Sequence, residues 1–366
     1  MAVFDAKPAL PPPVATTGAW GWIRRNLLSS PLDIALTATG LLLLAVAIGP
    51  FLRWAVFEAS FGGTTAEACS TAKGACWTFV RARFDFFIYG FYPAAERWRV
   101  DVVFALLATF IAALLWNRVP GRRWVALASV TVYPLLAFWL LLGGGGGLAL
   151  VETSKWGGLM LTLVLAVVGM VAALPVGILL ALGRRSKMIV IRIACTTFIE
   201  LWRGVPLISV LFMASVMLPL FLPQEVSIDK LLRALIGLIM FQAAYMAEVV
   251  RGGLQAIPRG QFEAAQALGL GFWRSMALII LPQALKLVIP GIVNTFIALF
   301  KDTTLVLIIG LLDVLGAVQA ALVDPSWDRV AVEGYVFAGF CYWIFCFGIS
   351  RYSQSLERKL QTGHKR

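Results

Sequence analysis

The chain has 366 residues, of which 60% are hydrophobic and only 14% charged, and its mean hydropathy is +0.86. A water-soluble domain needs more charge than this to cover its surface, so that class is excluded and the bilayer is the solvent. The net charge of +12 does not indicate a nucleic-acid partner, because Lys and Arg sit in short segments beside apolar runs, as membrane topology requires.

Residues 1–31 are Pro-rich and polar, lack an early apolar core, and read as a cytoplasmic N-terminal segment rather than a cleaved signal peptide. About 20 mostly apolar residues cross the hydrocarbon. On that template the sequence predicts an all-α membrane protein with eight spans, at 32–52, 101–117, 124–142, 157–182, 203–222, 231–251, 276–300 and 332–350. A further apolar piece at 304–318, "TLVLIIGLLDVLGAV", is too short for an ordinary span. It reads as a re-entrant or broken segment, or as a continuation of the seventh helix.

One side of this topology collects Arg24, Arg25, Arg118, Arg122, Arg123, Arg184, Arg185, Lys187, Arg251, Arg259, Arg274 and a basic tail at 356–366 that holds the single histidine, His364. The short loops opposite carry Lys155, Lys230 and Arg329, diluted by Glu152, Glu225, Asp229, Asp324 and Asp328. The positive-inside rule therefore puts both termini in the cytoplasm. The long loop at 53–100 is mixed in charge, and its Trp77, Phe84, Phe86, Phe87 and Tyr89 suggest that part of it packs on the membrane surface. Cys69 and Cys76 share that loop. Outside the cytoplasm they suit a disulfide; the alternative is two free thiols, and no His or carboxylate set beside them suggests a metal.

Gly143–Gly147 reads as a flexible separator. Before it, residues 32–147 hold three plain accessory spans. After it, the spans within 148–355 are interrupted by Pro175, Pro206, Pro282, Pro290 and several ionisable residues. Such interruptions mark pathways more often than anchors. The second part should carry the function.

Between the sixth and seventh spans lies a polar loop, 252–275, facing the cytoplasm. Pro258 and Gly260 would end the incoming helix, Gln261 and Glu263 would occupy a new first turn, and Gly269 and Gly271 would close a short Ala-rich helix. So short a helix is marginal alone in water and is expected to dock on something. The bland alternative is an Ala-rich connection. The spacing Glu263-Ala264-Ala265, three residues, Gly269, nine residues, Ile279, then Leu281-Pro282 resembles the EAA motif of bacterial ABC-importer permeases. "AAYMAEVVRGGLQAIPRGQFEAAQALG", "ELWRGVPLI" (200–208) and "FKDTTLVLIIG" (300–310) are similar to signatures of the polar-amino-acid branch. The resemblance covers about 157–355. The added N-terminal spans resemble the larger permease subunit of general L-amino-acid importers.

That resemblance implies a five-helix type I ABC importer permease core. Gly260, Glu263, Ala264, Ala265, Leu268 and Gly269 would form a coupling helix seated in a cleft of an ATPase subunit. The implied partners are a second, smaller permease, two ATPase subunits, a periplasmic binding protein and an L-amino-acid substrate, in the bacterial inner membrane. No Gly-Lys dipeptide occurs, so the chain has no phosphate-binding loop of that type, and ATP and Mg would belong to the partner ATPase.

Lys301, Asp302, Thr303 and Thr304 lie at membrane depth, where unpaired charge is costly. They read either as groups receiving the substrate's ammonium and carboxylate or as a structural ion pair. Gln242, Tyr245 and Glu248 recur every three residues and suggest one face lining a pathway. Glu248 with Arg251, and Glu200 with Arg203, are spaced as i, i+3 pairs supporting a gate or a bend. No nucleophile with a His partner, paired carboxylates or metal cluster suggests an enzyme. An ion-coupled secondary transporter or a membrane scaffold remain as alternatives; internal repeats would mark the first, and none is visible.

Overall fold

The computed structural model describes residues 18–361 apart from 64, 71, 72, 117, 118, 222, 224–227 and 328, so Arg118, Glu225, Asp328 and His364 lie outside the described residues. Among the described residues the only extended regular elements are helices. Hydrocarbon offers no water to backbone N–H and C=O groups, and a helix pairs them within one segment. Seven helices are long and apolar enough to cross a membrane, and the number is eight if one bent pair counts as a span.

The chain divides into two compact units, 1–78 and 79–366. In the first, α1 (Pro31–Leu52) begins where Ser30 accepts a hydrogen bond from the Asp33 amide at 3.1 Å and Pro31 takes the first helical position. None of its residues is buried and it is apolar all round, as a span is. A wide turn at Arg53–Phe57 follows. Trp77 Nε1 donates to the Ala55 carbonyl at 2.8 Å, and Cys69 and Cys76 are joined by a disulfide with Cα atoms 5.4 Å apart.

The second unit contains α2 (Phe84–Tyr89), α3 (Arg97–Leu115), α4 (Arg122–Leu142), α5 (Gly158–Arg184), α6 (Ile189–Gly204), α7 (Leu207–Phe212) and α8 (Lys230–Ala256). It continues with α9 (Arg259–Ala267), α10 (Leu281–Leu287), α11 (Ile289–Asp302), α12 (Val314–Leu322) and α13 (Ala331–Gln361). Helices α5 and α8 pack closely because small residues let the backbones approach. A Cβ at Gly177 would stand 2.7 Å from that of Met246. Val103 of α3, Leu141 of α4, Leu161 and Leu165 of α5, Leu238 of α8 and Leu299 of α11 share one apolar core. A second core joins Ala181, Met246, Val250, Leu254, Ile280 and Ala284, with Phe262 of α9 packed against it.

Several expectations are corrected. Gly143–Gly147 is not a loose separator but a tight turn: the Val151 amide bonds the Leu142 carbonyl at 2.8 Å, and a Cβ at Gly143 (φ 70°) would meet Ala149 O at 2.1 Å. Buried Arg99 fastens the same turn through the Ala149 carbonyl at 2.7 Å and pairs with Glu96 at 2.5 Å. Phe87 does not pack on the membrane surface; it is fully buried, 5.7 Å from Phe79 and 5.2 Å from Phe337 between ring centroids.

The expected span at 203–222 is bent. Helices α6 and the 207–221 segment meet at 103°, because Pro206 holds Val205 extended (φ −107°, ψ 135°) and Gly204 offers no side chain to resist. The run 276–300 is likewise three pieces: a wide turn at Met276–Ile280, α10, and α11 after a break at Val288. Segment 304–318 starts as a tight 3-10 continuation of α11 (Thr303–Ile309), reverses at Gly310 (φ 75°) and re-forms as α12. The last helix runs through 361, so the start of the expected tail is helical.

Candidate functional site

The first candidate surface is α9. It starts at Arg259, so Gly260 lies inside its first turn rather than ending the preceding helix, and Glu263 falls beyond the first turn. Helix α8 had already stopped at Ala256, and the Ile257-Pro258 pair is the break. Phe262 and Ala265, three apart, face inward; Ala265 is fully buried and the Arg185 guanidinium sits 5.7 Å from the Phe262 ring. Ala265, one of the residues expected to form the coupling helix, seats that helix on its own chain. Gly260, Glu263, Ala264 and Leu268 are exposed, and Leu268 is 74% so. Gly269 (φ 71°) closes the element with its amide on the Gln266 carbonyl at 2.9 Å. Gln261 bonds Gln283 of α10 at 3.0 Å, a direct polar tie from α9 to the pieces leading into α11.

Above α9 stands a charged cluster centred on Glu248. Arg184 of α5 reaches it at 2.7 Å, Arg251 at 2.6 Å and Arg203 of α6 at 3.7 Å. The expected Glu200–Arg203 pair is not formed: Glu200 pairs with Arg184 at 2.9 Å while Arg203 turns to Glu248 and stacks 5.5 Å from the Tyr245 ring. Three helices are thus tied through one carboxylate.

Farther along α8, Gln242 is buried and donates to Asp302 at 3.0 Å, so the hydrogen-bond partner of Asp302 is Gln242. Gln242 and Glu248 lie in different surroundings, while Tyr245 adjoins Glu248 through Arg203. Three residues fall about 60° short of a full turn, and the drift leaves Gln242 inside, Tyr245 38% exposed and Glu248 among arginines. Lys301 remains exposed and Thr304 bonds the Lys301 carbonyl at 2.9 Å. Thr303 is buried, bonding the Phe300 carbonyl at 2.8 Å, with its hydroxyl 3.4 Å from that of Tyr342.

The adjoining polar group escaped the sequence reading. Asp313 is fully buried, accepts from the Gly316 amide at 2.9 Å and from Tyr342 OH at 2.5 Å, and caps α12. Thr162 Oγ1 of α5 accepts from the Val314 amide at 3.0 Å. The available signal was an Asp in an apolar run with Gly three residues on, the pattern of a helix N-cap.

The described residues form a multi-pass helical bundle with a few buried polar groups and one small helix held outward at its end, an arrangement suited to a membrane transport subunit. The sequence pattern of the binding-protein-dependent transport system inner membrane component matches residues 173–362. Over 361 residues the chain is 54% identical to the inner membrane amino-acid ABC transporter permease protein YhdY of Escherichia coli (strain K12), spanning 99% of this chain and 98% of that one. It is 40% identical to the glutamate/glutamine/aspartate/asparagine transport system permease protein BztC of Rhodobacter capsulatus, over 97% of this chain and 96% of the relative. The glutamate/aspartate import permease protein GltK of Escherichia coli O6:H1 is 34% identical over 55% of this chain and 91% of its own length. The chain belongs to the family of binding-protein-dependent transport system inner membrane components, the permeases of ABC importers. It is a multi-pass inner-membrane protein, and permeases of this family act with ATPase and substrate-binding partners.

Proposed function

We infer that this chain is the larger permease subunit of an importer of L-amino acids. It would form the pathway with a second, smaller permease, and draw its energy from two ATPase subunits that hold ATP and Mg. A periplasmic binding protein delivers substrate, both termini lie in the cytoplasm, and the chain itself catalyses no reaction. The similarity along nearly the whole of two amino-acid permeases supports the substrate class. The observation that carries the coupling role is α9: two side chains anchor it inward, while Glu263 and Leu268 stand free for a partner.

ATP binding draws the ATPases together, α9 follows, and the Gln261–Gln283 contact passes the displacement toward α11. Asp302, held by Gln242, and the exposed Lys301 and Thr304 offer opposite charges and a hydroxyl to a zwitterionic substrate. The test is Glu263→Lys in membranes that also contain the partner subunits. The variant should lose co-purified ATPase, or hydrolyse ATP without uptake. Uptake by wild type in the absence of any ATPase would overturn the reading in favour of an ion-coupled carrier.

A further inference from the structure

A cavity of about 630 Å³ lies between the accessory helices α3 and α4 and the core helices α5 and α8. Its walls are apolar: Phe104, Ala137, Phe138, Val164, Val167 and Leu235 supply much of them. Pro134, inside α4, also faces it. Leu135, Phe138 and Leu232 both line the space and are exposed, so it opens at the side of the bundle. One end is polar, formed by Glu152, Thr153, Ser154 and Asp229.

These rim groups are organised. Thr153 donates to the Asp229 carboxylate, Asp229 also caps α8 through the Leu232 amide at 3.0 Å, and Ser154 donates to Glu152 at 3.1 Å. Two carboxylates stand at the mouth, and among the described residues the lining contains no Lys or Arg.

A space of this kind at membrane depth does not stay empty, since its lining would forfeit dispersion contacts on every side. Water has little to bond along aliphatic walls. A zwitterionic amino acid could place its ammonium at the polar rim, but its carboxylate would meet two acids or apolar walls with no cation in the lining. A single acyl chain comes from the surrounding bilayer and matches the walls in chemistry.

The headgroup follows from the rim. A phospholipid without an amine would set its phosphate against Glu152 and Asp229 with no cation in its own headgroup or in the lining to offset them. An ammonium group instead finds two carboxylates and a hydroxyl. We propose that this cavity holds an acyl chain of a phospholipid whose headgroup carries a primary amine, with Glu152 and Asp229 receiving the ammonium. The site is built in part by helices that lie ahead of the family-matched region, so it belongs to the longer members of the family. It requires only that the chain sits in a bilayer, and stands or falls separately from the substrate assignment.

The experiment uses the full-length chain, extracted with its partners into polymer-bounded membrane discs. The probe is phosphatidylethanolamine with a photoactivatable group on one acyl chain, and labelled peptides are mapped by mass spectrometry. Labelling concentrated in 133–138 and 160–168 is expected, competed by unlabelled phosphatidylethanolamine and not by phosphatidylglycerol. Val164→Trp fills the cavity and should reduce that labelling about tenfold. Glu152→Lys, an exposed position that leaves the core intact, should invert the headgroup preference. Labelling spread evenly over lipid-facing helices, or equal competition by phosphatidylglycerol, overturns the proposal. So does lining that is protected only when a partner permease is present.

Discussion

Arg184, in the last turn of α5, places Nη1 2.7 Å from Glu248 Oε1 on α8, and the same carboxylate is shared with Arg251 and Arg203. Glu248 thus pairs with three guanidinium groups at this point, and Glu200 is a second carboxylate on Arg184. Its side chain is only 16% exposed, whereas the three arginines are each about a quarter to a third exposed. Removing it leaves cations facing one another across three helices. Glu248→Gln should cost about 1–3 kcal/mol, less than a fully buried pair because the arginines are partly solvated. Arg251→Gln should cost less, since Glu248 keeps two partners. Thermal unfolding of the purified variants reads the order directly; equal losses would show that Glu248 is not the hub.

Backbone geometry gives a second contrast. Gly90 adopts φ 62° and ψ −131°, a region essentially closed to side chains, and a Cβ there would lie 2.4 Å from the Gly157 Cα. Gly269 also has positive φ (71°), yet a Cβ there meets nothing within 4 Å. Gly90→Ala should therefore prevent stable folding of the unit, seen as loss of a monodisperse species in detergent. Gly269→Ala should fold, at a cost of about 1 kcal/mol in the cap. If Gly90→Ala is as well tolerated as Gly269→Ala, the close crossing of α2 against the start of α5 is wrong.

What the sequence revealed depended on the length scale of the signal. The hydrophobic runs located the spans, and the spacing around Glu263 located α9, because each is a local pattern. The break at Pro206 was readable as an interruption, but its 103° angle and the contacts of α6 with Arg184 and Glu248 were not, because both are properties of the packed fold. Glu200 and Arg203 illustrate the limit: three-residue spacing permits a pair, and a carboxylate on another helix took the arginine. Gly143–Gly147 misled for a related reason. Glycine signals freedom in isolation, whereas here it admits the Ala149 carbonyl. Asp313 and Tyr342 were missed because they are 29 residues apart and meet only in the fold.

A pH effect is expected in the loop after α12. Asp324 accepts from Ser326 Oγ at 2.6 Å and from the Ser326 amide at 3.0 Å, and pairs with Arg83. These contacts, the Ser326 hydroxyl foremost, hold its carboxyl below the usual value of 3.8. A depressed carboxylate stabilises the fold above the ordinary value and loses that contribution as pH falls through the folded one. The difference in unfolding midpoint between wild type and Asp324→Asn should be present near neutrality and vanish in acid. A difference that grows in acid would have the wrong sign.

The last prediction concerns the junction of α12 and α13. Asp313 closes α12 with one oxygen and takes the Tyr342 hydroxyl with the other; the carboxylate is fully buried and Tyr342 is half-buried. Asp313→Ala removes the cap and the close acceptor of the Tyr342 hydroxyl together, leaving that hydroxyl the longer 3.4 Å contact with Thr303, so it should cost about 2–4 kcal/mol. Tyr342→Phe removes one donor and leaves the cap, for about 1–2 kcal/mol. Asp313→Asn keeps an acceptor for Gly316 and should fall between them. In the cycle pairing Asp313→Ala with Tyr342→Phe, the second change should cost much less in the presence of the first, with a coupling of about 1–2 kcal/mol. Strict additivity of the two would mean that the 2.5 Å contact between Asp313 and Tyr342 carries no energy of its own.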